Sequence, residues 1–139
     1  MAFLQFSPIF FFKDFFTMNK VVLITGTSTG IGLYTSIILA KNNYTLYASM
    51  RDTGKKELLQ SEADKNDVSI NIVQLDVQVE ESIRECVKNI IEKEGRLDVL
   101  VNNDGAGFLR TAEHATMKEI EDVMDVNFMG AIRCIKAVL

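Results

Sequence analysis

One stretch constrains this chain more than any other: Val21-Val22-Leu23-Ile24-Thr25-Gly26-Thr27-Ser28-Thr29-Gly30-Ile31-Gly32. Four consecutive apolar residues fit a strand buried on both faces, as in the middle of a parallel sheet. Three glycines follow, and an apolar pattern of helical period begins at once. A buried strand, a tight loop and a helix start make a cradle for phosphate in that order. The first N–H groups of a helix have no partner within it, and they carry the positive end of its dipole. Gly26 allows a sharp exit from the strand, Gly30 lets the backbone approach a pyrophosphate, and Gly32 lets the helix pack tightly on the strand. The expected nucleotide contacts are Gly26, Thr27, Ser28, Thr29, Gly30, Ile31 and Gly32. A glycine turn without a ligand is the alternative that the loop alone leaves open.

Composition narrows the options. A length of 139 residues makes one domain with room for a core. A net charge of −4 and an isoelectric point near 5.0, with Lys and Arg scattered, leave no nucleic-acid footprint. Cys86 and Cys134 are far apart and His114 is the sole histidine, so no metal site is expected. Both cysteines fall in apolar helical patterns and read as reduced core residues of a cytoplasmic protein. His114 reads as a surface loop residue. Residues 1–17 hold seven of the nine phenylalanines, yet they lack a basic leader and a cleavage site, and Pro8 and Lys13-Asp14 interrupt them. They read as an extension outside the fold, with a hydrophobic anchor as the alternative; residues 18–139 form the folded part.

The spacing Thr-Gly-x-x-x-Gly-x-Gly at Thr25–Gly32 resembles the nucleotide loop of the short-chain dehydrogenase/reductase family. The resemblance implies a Rossmann-type doubly wound α/β fold with a parallel sheet, here of four strands in the order 3-2-1-4. It also implies an NAD- or NADP-dependent oxidoreductase acting on a carbonyl or alcohol. The rest of the chain can be laid along that plan. An apolar helix carrying Ile31, Tyr34, Thr35, Ile37, Ile38 and Leu39 ends at Asn42-Asn43, and a second strand covers Tyr44–Met50.

The end of the second strand selects the cofactor, an acid favouring NAD and a base the 2′-phosphate of NADP. Ser49 stands where NAD-preferring members resemble one another in carrying an acid, and Arg51 follows it. A guanidinium suits a phosphate, so NADP is preferred over NAD, with Arg51 as a solvated surface charge the alternative. Asp52 caps the next turn or takes the ribose. A short helix spans Leu58 to about Asp64, and a third strand spans Val68–Leu75. It ends at Asp76-Val77, which resembles the family's adenine-binding aspartate and neighbouring backbone N–H. Asp76 as a helix N-cap is the alternative.

An amphipathic helix over Val79–Glu94 stops at Gly95, and a fourth strand spans Leu97–Val101. Asn102-Asn103-Asp104-Gly105 follows and resembles the family's Asn-Asn-Ala-Gly, with Asn103 and Gly105 as cofactor-side residues. Asp104 departs from that pattern. A carboxylate in place of a methyl group weakens cofactor binding unless it turns outward, with Gly107 supplying the freedom. The last helix is read as continuous over Thr116–Leu139 and opens with a capping box. Met117, Ile120, Met124, Phe128, Ile132, Ile135 and Leu139 repeat along it. Asn127, in Met124-Asp125-Val126-Asn127, resembles the asparagine of the family's catalytic tetrad; an ordinary helix-surface residue is the alternative.

The family's remaining chemistry uses a serine and a Tyr-x-x-x-Lys pair, and no Tyr-x-x-x-Lys occurs here. A phenol titrates near pH 10 and needs a nearby ammonium to act at neutral pH. The expectation is an amino-terminal, cofactor-binding portion, inactive alone, which self-associates through the last helix or the exposed edge of the fourth strand. A non-catalytic nucleotide- or partner-binding module is the alternative function. A methyltransferase-type nucleotide fold is disfavoured by the loop spacing and by Asn102-Asn103.

Overall fold

A computed structural model of the chain describes residues 19–107 and 110–139. The expected amino-terminal extension, residues 1–17, lies outside the described residues. Four strands, β1 (Val21–Ile24), β2 (Thr45–Met50), β3 (Asn71–Gln74) and β4 (Val99–Val101), form one parallel sheet in the order β3-β2-β1-β4. Helices α1 (Gly30–Lys41) and α2 (Glu57–Lys65) belong to one face. On the other lie α3 (Glu80–Glu94) and the last helix, which runs as α4 (Met117–Met124), a π-helical segment (Asp125–Gly130) and α5 (Ala131–Val138).

The strand pleat divides the core in two. Val21, Leu23 and Tyr47 turn toward α3 and α5, where they meet Leu75, Ile83, Val87, Ile90 and Cys134. Val22, Ile24, Leu46 and Ala48 turn toward α1 and α2, where they meet Leu33, Ile37, Leu59 and Ala63. Alternate residues of β1 thus feed opposite cores, which is why its sequence is apolar without a break.

Several boundaries differ from the sequence reading. Strand β3 covers Asn71–Gln74 rather than Val68–Leu75, and β4 covers Val99–Val101 rather than Leu97–Val101. The apolar residues on either side, such as Val68, Ile70 and Leu97, pack against the core without joining the ladder. Asp52 caps a short 3-10 turn at Thr53–Lys55, accepting from the Gly54 N–H at 2.9 Å. The expected apolar face of α1 is also corrected: Leu33 and Ile37 are buried with Gly32 and Ser36, while Ile31, Tyr34 and Ile38 face outward. The helix is apolar all round, so periodicity could not single out its inner side.

The last helix is corrected twice. It is not continuous α-helix, and its strongest apolar repeat does not face the core. Met117, Met124, Phe128, Ile132, Ile135 and Leu139 are exposed, whereas Val126, Cys134, Ala137 and Val138 pack inward. Gly130 permits the close approach. A Cβ there would stand 2.9 Å from the Val77 side chain.

Strand β1 is anchored to the residue before β4. At its start the Asp98 carboxylate accepts from the Val21 N–H at 2.8 Å, while Asp98 N–H donates to Val21 O at 2.9 Å. Tyr47 OH donates to Glu94 Oε1 at 2.6 Å, fixing α3 to β2.

Two outcomes follow for stability. A methyl group on Gly32 would overlap Gly26 O and Asn103 Nδ2. Gly32→Ala is therefore expected to cost about 1–3 kcal/mol in urea unfolding, and a loss within error would show that α1 can move off the loop. Arg96 and the Val21 N–H hold the Asp98 carboxyl below its ordinary value of 3.8. Its contribution is thus present above that value and lost as pH falls below it. Unfolding curves of Asp98→Asn should sit below those of the unsubstituted chain at neutral pH and converge with them in acid.

Candidate functional site

All four strands point their carboxyl ends at one cleft of about 200 Å³, at the place where the chain reverses its winding direction from β1–β2–β3 to β4. A crevice of this kind is where open α/β sheets bind ligands. Gly26 and Ser28 line it from the loop after β1, with Met50, Arg51, Asp52 and Lys55 from the end of β2. Asp76, Val77 and Gln78 come from the end of β3, and Asp104, Gly105 and Ala106 from the end of β4. Val126 of the π-helical segment closes one side.

The glycine loop is held in shape from both neighbouring strands. Asn103 Nδ2 donates to Thr25 O and to Gly26 O, each at 2.9 Å. Thr25 Oγ1 accepts from the backbone N–H groups of Asn103 at 3.1 Å and Asp104 at 3.0 Å. On the β2 side, the N–H and the hydroxyl of Thr27 both donate to Ser49 O at 3.0 Å. Gly26 and Gly30 have φ of 69° and 62°, the left-handed region that a side chain disfavours.

The start of α1 is left open to an anion. Its N-cap, Thr29, makes no side-chain cap, and no acidic residue stands in the first turn. The donors are therefore available, and the macrodipole is not offset locally. Arg51 makes no ion pair among the described residues and stands exposed at the cleft. Ile31 is exposed beside the loop.

The structure brings Gly26, Ser28, Arg51, Asp76, Val77 and Gly105 to one cleft, with Thr29, Gly30 and Ile31 at its helical rim. It assigns others to support. Both donors of Thr27, its N–H and its hydroxyl, go to Ser49 O, so Thr27 braces the loop. Gly32 and Asn103 likewise hold the loop from behind. Ser49 is fully buried, and its hydroxyl has no partner among the described residues. Met50 at the end of β2 and Arg51 just after it line the cleft, whereas Ser49, the expected place of an acid, does not. Strand alternation explains this: Ser49 points to the same side as Tyr47.

Asp76 Oδ1 accepts from the Gln78 N–H at 3.0 Å, and the N-cap of α3 is Val79, not Asp76. Asn127 sits within the π-helical segment, with Oδ1 accepting from Ala106 N–H at 2.7 Å and Nδ2 donating to Ala106 O at 2.9 Å. Its carboxamide fixes the loop after β4 to the last helix. Asp104 turns into the cleft, not outward. Burial raises its carboxyl above the ordinary range, and the negative charge of Asp76 adds to this against a bond from Gly105 N–H and the charge of Arg51.

Thr25 and Lys55 escaped the sequence reading. Thr25 has a pointer, since it immediately precedes the first glycine; Lys55 has none, because a helical turn of unpredictable angle brings it to the cleft. No tyrosine lines the cleft. Tyr47 is buried, and burial with its bond to Glu94 raises its phenol, away from a role in proton transfer. His114 lies exposed, its Nδ1 2.7 Å from Thr111 Oγ1. Both cysteines are free and buried, with burial pushing each thiol up to about 11.

The chain is similar to known proteins over most of its length. A family model for short chain dehydrogenases matches residues 20–139. Human retinol dehydrogenase 8 is 42% identical over 124 residues, covering 86% of this chain and 39% of the relative. A 3-oxoacyl-acyl-carrier-protein reductase of Staphylococcus epidermidis is 36% identical over 126 residues, covering 87% of this chain and 50% of the relative. Among solved structures, an actinorhodin polyketide ketoreductase variant with NADPH superposes with a TM-score of 0.80 at 28% identity, over 87% of this chain and 46% of that one. The chain therefore spans half or less of the length of these relatives. The glycine loop, the sheet order and the family match agree: the chain belongs to the short-chain dehydrogenase family of oxidoreductases.

Proposed function

We propose that these 139 residues are the dinucleotide-binding part of an NAD(P)-dependent carbonyl or alcohol oxidoreductase, binding cofactor without turning over substrate by themselves. The observation that carries this is the uncapped start of α1, delivered by the Gly26–Gly32 loop to a cleft whose β2 side bears the unpaired Arg51. The chemistry of a bound nicotinamide is hydride exchange with a carbonyl or alcohol carbon.

In this reading the N–H groups at the start of α1 and Ser28 receive the diphosphate. Arg51, with Lys55 close by, receives the 2′-phosphate and favours NADP over NAD, since no carboxylate occupies the Met50 position. Asp76 and the Val77 backbone face the adenine, and Gly105 lets the chain approach the second ribose. Asn127 acts here as a positioning residue that sets the loop carrying Gly105. Reduction of a carbonyl also needs a proton donor, and among the described residues the cleft holds Lys55 but no tyrosine beside it.

The same chain presents an apolar stripe over Met124, Phe128, Ile132 and Ile135, and an outer edge of β4 that is unpaired among the described residues. Both favour association with another polypeptide, and we propose self-association through the last helix.

A thermal-shift titration tests the central reading, with stabilisation expected from NADP and a smaller one from NAD; no shift with either would overturn it. Arg51→Ser should weaken NADP by about 10- to 100-fold, the equivalent of ~1.5–3 kcal/mol for a hydrogen bond to a charged group, and leave NAD nearly unchanged. Ketone-dependent oxidation of NADPH by the purified chain would contradict the absence of turnover. Sizing at micromolar concentration should show oligomers that Phe128→Glu dissolves, and a sharp monomer peak before substitution counts against self-association.

A further inference from the structure

We propose that Asp104 makes dinucleotide binding proton-linked: the cleft takes up the cofactor with the Asp104 carboxyl in its neutral form, so affinity falls as pH rises. The inference rests on the dinucleotide reading above and adds a specificity-determining residue to it.

The position of Asp104 is fixed by its surroundings. Its N–H donates to Thr25 Oγ1 at 3.0 Å, as does that of Asn103 at 3.1 Å. Two residues on, Asn127 holds Ala106 by both its N–H and its C=O. Asp104 lies directly over the glycine loop. A Cβ on Gly26 would stand 2.8 Å from the Asp104 Cα and 3.1 Å from its Oδ1. The carboxyl group is thereby kept beside the loop that receives the diphosphate, and it lines the same cleft as Ser28 and Arg51.

Charged neighbours come from several elements. The β1 loop contributes none. The end of β2 brings Arg51, Asp52 and Lys55, and the end of β3 brings Asp76. From the last helix, the thiol of Cys134 is pushed up in part by the charge of Asp104. Asp76 opposes ionisation of Asp104 and Arg51 favours it, while burial adds to the opposition. A diphosphate brings further negative charge into the same space. A carboxylate there can only accept hydrogen bonds, and it repels phosphate oxygens. A neutral carboxyl can donate its O–H to a phosphate or ribose oxygen instead.

The sign follows from linkage. In the free chain the carboxyl loses its proton above the ordinary aspartate value of 3.8. With cofactor bound it loses it at still higher pH. Between those two points each binding event takes up a proton, and affinity falls by up to about tenfold per pH unit. Outside them the dependence is flat.

The test is calorimetric titration of the whole chain with NAD from about pH 5 to about pH 8, in two buffers of different ionisation heat so that proton uptake is counted directly. NAD lacks the 2′-phosphate, whose own titration near pH 6 would imitate the effect. The unsubstituted chain should bind more weakly as pH rises and take up protons on binding. Asp104→Asn and Asp104→Ala should bind without proton uptake, with flat profiles, and more tightly than the unsubstituted chain at the upper end. A flat profile in the unsubstituted chain, or an unchanged slope in both variants, overturns the proposal while leaving the dinucleotide reading intact. Failure of all three chains to bind NAD at any pH overturns the proposal, and failure to bind NADP as well overturns the dinucleotide reading.

Discussion

The clasp between β4 and the loop after β1 is the interaction on which this structure depends. Asn103 reaches across with two donated bonds, to Thr25 O and Gly26 O, and Thr25 Oγ1 answers with two accepted ones. These four bonds satisfy backbone groups that would otherwise be stranded in a buried turn, where an unpaired polar group costs about 1–3 kcal/mol. They also fix the direction in which α1 leaves the sheet. The helix can then press Gly32 against the loop, leaving its first N–H groups uncapped and facing the cleft. A site for anions is thus built from backbone, and side chains serve mainly to brace it.

The bracing extends outward in a second ring. Asn127 ties the loop after β4 to the last helix, and Arg133 pairs with Asp125 and donates to Val77 O. The π-helical segment is what allows this. Its extra residue per turn places Asn127 toward Ala106 while Gly130 still sits against Val77. Such segments often mark functional places in helices, because they trade regular hydrogen bonding for the aim of one side chain. Here the aim is at Ala106, in a backbone segment lining the cleft.

Asp104 is the element at odds with the rest. The free N–H groups, the guanidinium and the glycines where the chain must come close suit a dinucleotide. A partly desolvated carboxyl beside Asp76 does not, unless it is neutral. The apolar stripe of the last helix is a second unresolved demand, since a surface of this kind is stable in water only at a cost in solubility.

Much of this was readable from residues in order. The run Val21–Ile24 and the glycine spacing determined the first strand, the loop and the start of α1. The sheet order 3-2-1-4 came with the family resemblance that the motifs carry in order, because short apolar runs do not by themselves name their neighbours. Thr116 and Glu119 determined the start of the last helix through their capping box. These are local signals, carried by backbone conformation and near-neighbour bonding. Tertiary structure alone decided which side of α1 and of the last helix lies inward, whereas the inner side of the amphipathic α3 was legible from its period. It left Ile31, Tyr34 and Ile38 outside, and it turned the apolar repeat of the last helix away from the core, because burial depends on a partner surface that no periodicity specifies. It also decided that Ser49 points inward while Met50 meets the cleft, that both donors of Thr27 go to a strand carbonyl, and that Asp104 turns into the site. Each of those outcomes is set by contacts between residues more than twenty positions apart in the chain, such as Thr27 with Ser49 and Asp104 with Thr25.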